Sequence, residues 1–139
     1  MKKMKRGKKK KSVFCKGKVL NHAGTHLLVE IWNAKNISSP KIIKKILKQI
    51  VKACGATLLK VQAHIFSPFN GVSGVAILKE SHVSIHTWPE FGYAAVDIFV
   101  CGKVNPYKAL PILKQGFETQ DLQILELKRG ILDEKRLVL

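Results

Sequence analysis

The chain has 139 residues, with 25 Lys and Arg against nine Asp and Glu, and a formal net charge of +16. This length suits one domain with a single two-layer core, and a hydrophobic content of 46% excludes a chain that is disordered throughout. No stretch approaches the roughly 20 apolar residues of a membrane-spanning helix, and no long apolar segment follows the N-terminal charges, as it would in a secretory signal.

The positive charge is concentrated at the N-terminus. Residues 1–18 contain ten Lys and Arg and no acidic residue, which leaves a net charge of +6 for residues 19–139. Such a run repels itself and has no apolar surface to bury, so the sequence predicts a disordered basic tail over 1–18 and one domain over 19–139. Any contact with nucleic acid is expected through this tail alone.

Three cysteines, Cys15, Cys54 and Cys101, form no CxxC pair. Their odd number and wide spacing argue against a disulfide scaffold. We therefore expect a protein of the reducing cytoplasm, with each thiol available for packing or for chemistry.

The first elements have clear local signals. Thr25–Trp32 is rich in β-compatible residues and predicts a strand. Ser39 and Pro40 suit the N-cap and first turn of a helix. Over residues 42–51, apolar side chains recur at helical spacing and lysines occupy the other face, until Gly55 provides a C-cap.

The later elements are mostly strands. The sequence predicts a second helix that begins at Asn105–Pro106 and runs through Leu113. The further predicted strands are Thr57–Phe66, Val75–Leu78, His82–Trp88, Tyr93–Cys101 and Asp121–Leu127. Short connections require antiparallel pairing, and two amphipathic helices cover one face of such a sheet. The prediction is an α+β two-layer sandwich that dimerises through the other face of its antiparallel sheet.

Reactive side chains are concentrated between Gly71 and Gly102. They are Ser73, Glu80, Ser81, His82, Ser84, His86, Glu90, Asp97 and Cys101. So dense a set is unusual for a purely structural sheet, although each residue taken alone is more often structural than catalytic.

Two explanations of this cluster are weak. His82 and His86 alternate with β-branched residues, so they lie on a strand about 13 Å apart, too far to share a zinc ion, and no metal site is predicted. The segment GVSG at residues 71–74 is not the GxSxG turn of a hydrolase. A Ser–His hydrolase with Asp97 as its third member stays open on spacing alone.

The segment KESHVSIHTWPEFGYAAVDIFVCG, residues 79–102, resembles the core of the prokaryotic S-adenosylmethionine decarboxylases, which are made as proenzymes and depend on a pyruvoyl group. FSPFNGVSGVAIL at 66–78 and GTHLLVEIW at 24–32 are also similar to that family. The resemblance covers roughly residues 20–130, and its most specific part is Glu-Ser-His followed by Ile-His-Thr-Trp-Pro-Glu.

The resemblance implies that the precursor cleaves itself between Glu80 and Ser81. Ser81 attacks the Glu80 carbonyl, the resulting ester is eliminated, and Ser81 becomes a pyruvoyl group at the start of the 81–139 chain. By the same resemblance, His86 is the base in this processing and Ser73 polarises the intermediate.

In the mature enzyme, the resemblance implies that the pyruvoyl ketone forms a Schiff base with S-adenosylmethionine, whose decarboxylated product supplies spermidine biosynthesis. Cys101 matches the proton donor, Glu90 binds the ribose hydroxyls or assists near the reaction centre, and Phe66 stacks on the adenine. For Cys101 and Phe66, simple packing is an open alternative.

Strand parity sets a condition on this site. Ser81 and His86 have opposite parity and lie about 16 Å apart on an extended strand. Either the chain turns sharply after Ser81, or the histidine comes from a second protomer. We favour a homodimer of cleaved protomers, in which one protomer supplies Ser81 and Cys101 and its mate supplies Ser73, His86 and Glu90.

Two other functions compete with this one. A pyruvoyl-dependent arginine or ornithine decarboxylase would share the scaffold and differ only in its pocket. A basic nucleic-acid-binding module would explain the tail but not the cluster of reactive residues, and it predicts a salt-dependent affinity carried by 1–18.

Overall fold

The computed structural model describes residues 15–16 and 21–131. Most of the predicted basic tail, and residues 132–139, lie outside the described part. Two short strands, β1 (Cys15–Lys16) and β2 (Asn21–His22), pair antiparallel at the N-terminal end.

A six-stranded sheet forms one layer of the molecule, and every neighbouring pair of its strands is antiparallel. Its strands are β3 (Gly24–Ile31), β4 (Leu58–Phe66), β5 (Gly71–Leu78), β6 (Ser81–Trp88), β7 (Tyr93–Val100) and β8 (Leu122–Arg129). Their order across the sheet is β4-β5-β6-β7-β3-β8. The hairpins from β4 to β7 are consecutive in the chain, whereas β3 lies between β7 and β8.

Two helices form the second layer, α1 (Pro40–Cys54) and α2 (Ala109–Gly116). The Ser39 side chain accepts a hydrogen bond from the Ile42 N–H, and Gly55 ends α1 with a φ of 76°. Both predicted caps of α1 are therefore confirmed. A 3-10 turn over Pro106–Lys108 precedes α2, and a second such turn, Pro89–Phe91, joins β6 to β7.

The hydrophobic core lies between the helices and one face of the sheet. Its largest fully buried side chains come from both layers and include Leu27, Ile31, Ile43, Leu47, Ile50, Ile85, Ile98, Leu113 and Phe117. The predicted α+β two-layer sandwich is confirmed.

Strand β5 begins at Gly71, four residues before the predicted start at Val75. Gly71 and Gly74 lie in this strand, where the backbone packs closely against neighbouring residues. A Cβ at Gly71 would lie 2.8 Å from the Thr87 carbonyl oxygen, and one at Gly74 would lie 2.9 Å from the Ile43 side chain. Ser73 therefore lies inside a strand and not in a loop.

The other face of the sheet carries polar and apolar side chains together. Several large apolar residues on it are exposed, namely Phe66, Ile77, Trp88, Leu125 and Leu127. Within residues 21–131, both helices pack on the opposite face, so this open face has no second layer over it. In the described part of the chain, no helix has the length and apolar character needed to cross a bilayer.

Candidate active site

The proposed cleavage point is the turn between β5 and β6. Leu78 pairs directly with Ser81, so only Lys79 and Glu80 form the loop of this hairpin. Ser81 has a φ of 140°, a conformation that residues with side chains rarely adopt and that costs about 1–3 kcal/mol. The peptide bond between Glu80 and Ser81, at which the sequence predicts cleavage, therefore precedes a strained residue.

The carbonyl of the same peptide bond is polarised by the neighbouring strand. Its oxygen, on Glu80, accepts a hydrogen bond from the backbone N–H of Cys101 at 3.2 Å. Cys101 follows directly after Val100, which pairs with Ser81. A donor aimed at a carbonyl stabilises the negative charge that develops on its oxygen when a nucleophile attacks.

The side chain of Glu80 is anchored on the other side of the turn. Its carboxylate accepts hydrogen bonds from the backbone N–H and the hydroxyl of Thr57, both at 2.9 Å. Slight burial raises the pKa of Glu80, but the Thr57 hydrogen bonds lower it more, so the pKa lies below its ordinary value. Thr57 was not predicted as part of the site, and 23 residues of sequence separation leave no local signal for it.

A second group of predicted residues lies near the other end of β6. The Ser73 hydroxyl and His86 Nδ1 are 2.7 Å apart, because Ser73 and His86 are directly paired across β5 and β6. Ser73 and His86 also line a pocket of about 270 Å³ together with Phe66 and Glu90. An exposed aromatic ring, a carboxylate and a Ser–His pair thus meet in one cavity.

The structure therefore divides the predicted residues into two groups. Glu80, Ser81 and Cys101 form the cleavage group, at the N-terminal end of β6. The pocket group, near the C-terminal end, comprises Phe66, Ser73, His86 and Glu90. Five residues of extended chain, about 16 Å, separate Ser81 from His86. Within one protomer, the two groups do not form a single site.

One histidine does reach Ser81. His82 Nδ1 lies 3.3 Å from the Ser81 hydroxyl. Its ring borders His26 and Phe99, at centroid distances of 6.5 and 5.8 Å. The sequence placed His82 in the reactive cluster but gave it no role.

The surroundings of His82 lower the pKa of its imidazole. Burial lowers its pKa first, and the nearby His26 and Arg129 lower it further, whereas Asp97 acts in the opposite direction. Asp97 itself is hydrogen-bonded to His26 Nε2 at 2.9 Å. Asp97 therefore does not complete a triad with Ser73 and His86. Among residues 21–131, no three His, Cys, Asp or Glu side chains are grouped to hold a metal ion.

The two described thiols differ in their surroundings. Cys54 is buried in the core, and burial raises the pKa of its thiol to about 11. Cys101 is half-buried next to the cleavage point. Of the two, only Cys101 is placed for chemistry at residue 81.

Comparison with known proteins decides the family. The model of a family described as S-adenosylmethionine decarboxylase matches residues 25–130. The chain belongs to this family. A Thermomicrobium roseum S-adenosylmethionine decarboxylase proenzyme is 46% identical over 110 residues, which cover 78% of this chain and 95% of the relative. A Methanococcus maripaludis protein of the same name is 44% identical over 117 residues, covering 82% and 95% of the two chains.

A solved structure agrees with this assignment. The crystal structure of the adenosylmethionine decarboxylase from Aquifex aeolicus superposes with a TM-score of 0.71 at 30% identity, over 81% of this chain and 95% of that one. The resemblance predicted from the sequence is confirmed, together with its α+β fold.

Proposed function

We propose that this chain is an enzyme that decarboxylates S-adenosylmethionine with a pyruvoyl group made from its own Ser81. The observation that carries the proposal is the cleavage turn, where Ser81 is held in a strained conformation and the Glu80 carbonyl is hydrogen-bonded to the Cys101 N–H. Family membership and the relatives' designation as proenzymes support it.

Self-cleavage begins with the Ser81 hydroxyl. Its oxygen adds to the Glu80 carbonyl carbon, and the negative charge forms on the oxygen that faces the Cys101 N–H. When the bond from that carbon to the Ser81 nitrogen breaks, an ester and a free amine result. Removal of the Ser81 α-proton then expels the Glu80 carboxylate, and hydrolysis of the dehydroalanine releases ammonia and leaves the ketone. Residues 1–80 and 81–139 become separate chains.

The turn fits this chemistry. Ser81 becomes the new N-terminus at the start of β6, beside the half-buried Cys101 thiol. A pyruvoyl group supplies an electron sink that accepts the bonding pair released when carbon dioxide leaves. We assign Cys101 to return a proton to the substrate carbon, because its backbone directly contacts the residue before position 81.

The pocket group suits the rest of the substrate. The Phe66 ring is 49% exposed and offers a stacking surface for a purine, while Glu90 offers a carboxylate to ribose hydroxyls. We assign the neighbouring Ser73 and His86 to processing, in which Ser73 polarises the intermediate and His86 removes the α-proton.

These two groups meet if the enzyme is a homodimer of cleaved protomers that pack through the open sheet face. A second copy would cover the exposed apolar side chains of that face, and a two-fold axis would bring the cleavage group of one protomer to the pocket group of its mate. The site is incomplete without this partner, which is why we propose a second copy as the occupant of this face.

The direct test is the mass of the purified protein. Two chains that correspond to 1–80 and 81–139, the second with a carbonyl that hydrazines trap, are expected. A single uncut chain would refute the proposal. Ser81→Ala is the matched control and should stay uncut.

The substrate is tested by release of carbon dioxide. S-adenosylmethionine should be consumed, and arginine and ornithine should not, since the comparisons favour neither of these alternatives. Removal of residues 1–14 should leave this activity intact, because every proposed site residue lies in the described domain. Loss of activity in that truncation would favour a role for the basic tail. The cytoplasmic setting stays a prediction.

A further inference from the structure

The first step of self-cleavage needs a base that the roles above do not supply. A serine hydroxyl is a weak nucleophile unless a neighbouring group takes its proton. His86 lies about 16 Å along β6 from Ser81 in its own protomer and is hydrogen-bonded to Ser73. The later loss of the α-proton is a different event and requires its own base.

His82 is placed to take the hydroxyl proton. Its Nδ1 lies 3.3 Å from the Ser81 oxygen, and both residues belong to the same strand, so this contact does not depend on a second protomer. Such contacts are often long in a resting site and shorten as reaction begins.

The cluster around His82 fixes its ring. His26 packs edge-on against it from β3, and Phe99 packs against both histidine rings from β7. Asp97 holds His26, and Arg129 of β8 covers the Phe99 ring at 4.7 Å. Burial, with His26 and Arg129, lowers the pKa of His82, which favours the neutral imidazole that can accept a proton.

We propose that His82 is the general base for the first step, the transfer of the Glu80 acyl group from the nitrogen to the oxygen of Ser81, and that His86 acts only in the elimination that follows. This inference rests on the proposed self-cleavage. His82 Nδ1 accepts the hydroxyl proton as the oxygen–carbon bond forms. It returns that proton to the Ser81 nitrogen as the carbon–nitrogen bond breaks, so the step needs no other reactant.

The two steps are separated with neutral hydroxylamine, which cleaves an ester between Glu80 and Ser81 but not the original amide. His86→Ala should block elimination and accumulate precursor that hydroxylamine cuts after residue 80. Adding His82→Gln to this variant should slow the appearance of the ester about 100-fold. Mass spectrometry of samples taken during cell-free synthesis of the full chain gives the rate of ester formation in the single and in the double variant.

The matched control is Ser84→Ala in the same His86→Ala background. Ser84 lies on the same strand and face, between the two histidines, and should leave the rate of ester formation unchanged. His82→Gly with added imidazole is the second variant, and recovery of the rate would show that the missing group is a base and not a packing element. Circular dichroism of each purified variant shows whether it is folded, and rates are compared only between folded variants.

Three outcomes overturn the inference. The ester could form equally fast with and without His82. His86→Ala could accumulate no ester, which would place His86 in the first step. Imidazole could also leave the rate of folded His82→Gly unchanged. A wild-type chain that stays uncut would instead refute the proposed function, so the two failures are distinguishable.

Discussion

His86 lies five residues after Ser81 on one strand, yet its hydrogen-bond partner is Ser73 on the neighbouring strand. The register of β5 against β6 sets this pairing, since Ser73 is directly opposite His86 and Leu78 is directly opposite Ser81. The hairpin therefore holds one serine beside His86 and keeps the other far from it. We therefore expect a site that uses both serines to draw them from two copies of the chain.

Coexpression tests this shared site. If each site combines Ser81 of one protomer with His86 of its mate, then Ser81→Ala and His86→Ala chains, each inactive alone, should form mixed dimers with one working site. Up to about half of the wild-type activity per mixed dimer is expected. Mixed dimers isolated with two different affinity tags give the measurement. If mixed dimers form but stay inactive, the site lies within one protomer.

The pH dependence of the first step should follow His82. Burial, His26 of β3 and Arg129 of β8 lower its pKa below the ordinary value of 6.5, against the opposing effect of Asp97 on β7. The neutral imidazole is the base, so the rate of ester formation should rise with pH and level off above a midpoint that lies below 6.5. Hydroxylamine trapping in His86→Ala across this range measures it. A midpoint above 6.5 would contradict the assignment.

The anchor of the cleavage turn can be tested at Thr57. Thr57→Val removes the hydroxyl that donates to the Glu80 carboxylate and leaves the backbone N–H in place. Because the hydrogen bond between Thr57 and Glu80 is exposed, we expect processing to slow by only about threefold to tenfold. Thr57→Ser keeps the hydroxyl and should process at the wild-type rate. Slowing in Thr57→Ser but not in Thr57→Val would show that the methyl group, and not the hydrogen bond, matters.

Cys101 should separate cleavage from decarboxylation. Cys101→Ala keeps the backbone N–H that contacts the Glu80 carbonyl, so the chain should still be cut. Loss of the proton donor should lower turnover about 100-fold. Chain masses and carbon dioxide release measure the two effects separately, and full turnover in the cut variant would exclude Cys101 as the donor.

Cys54→Ala is the matched control for that variant. The Cys54 thiol is buried, and its pKa of about 11 keeps it protonated near neutral pH. Its loss should cost about 1 kcal/mol of stability and leave turnover unchanged. A thermal melt and the same turnover assay check both expectations.

Local patterns were sufficient to predict most of the fold. The cap residues Ser39 and Gly55, with helical spacing between them, determine α1, and alternating side chains determine most strands. The start of β5 was missed because the glycines at 71 and 74 resemble turn residues in sequence. Their close contacts with Thr87 and Ile43 arise only when the layers pack.

The candidate site was less predictable than the fold. Strand parity correctly separated Ser81 from His86, because that relation is local. The contact of His82 with Ser81 depends on the positive φ of Ser81. The contact of Thr57 with Glu80 depends on the position at which β4 begins. Neither His82 nor Thr57 has a signal of its own for these contacts.

The strand order has a further consequence for the cut molecule. Residues 1–80 provide β3, β4 and β5, and residues 81–139 provide β6, β7 and β8. Because β3 is inserted between β7 and β8, each fragment is hydrogen-bonded to the other along three separate strand borders. Cleavage after Glu80 would break one covalent bond in a sheet to which both fragments contribute strands. Neither fragment could then dissociate without disrupting the sheet.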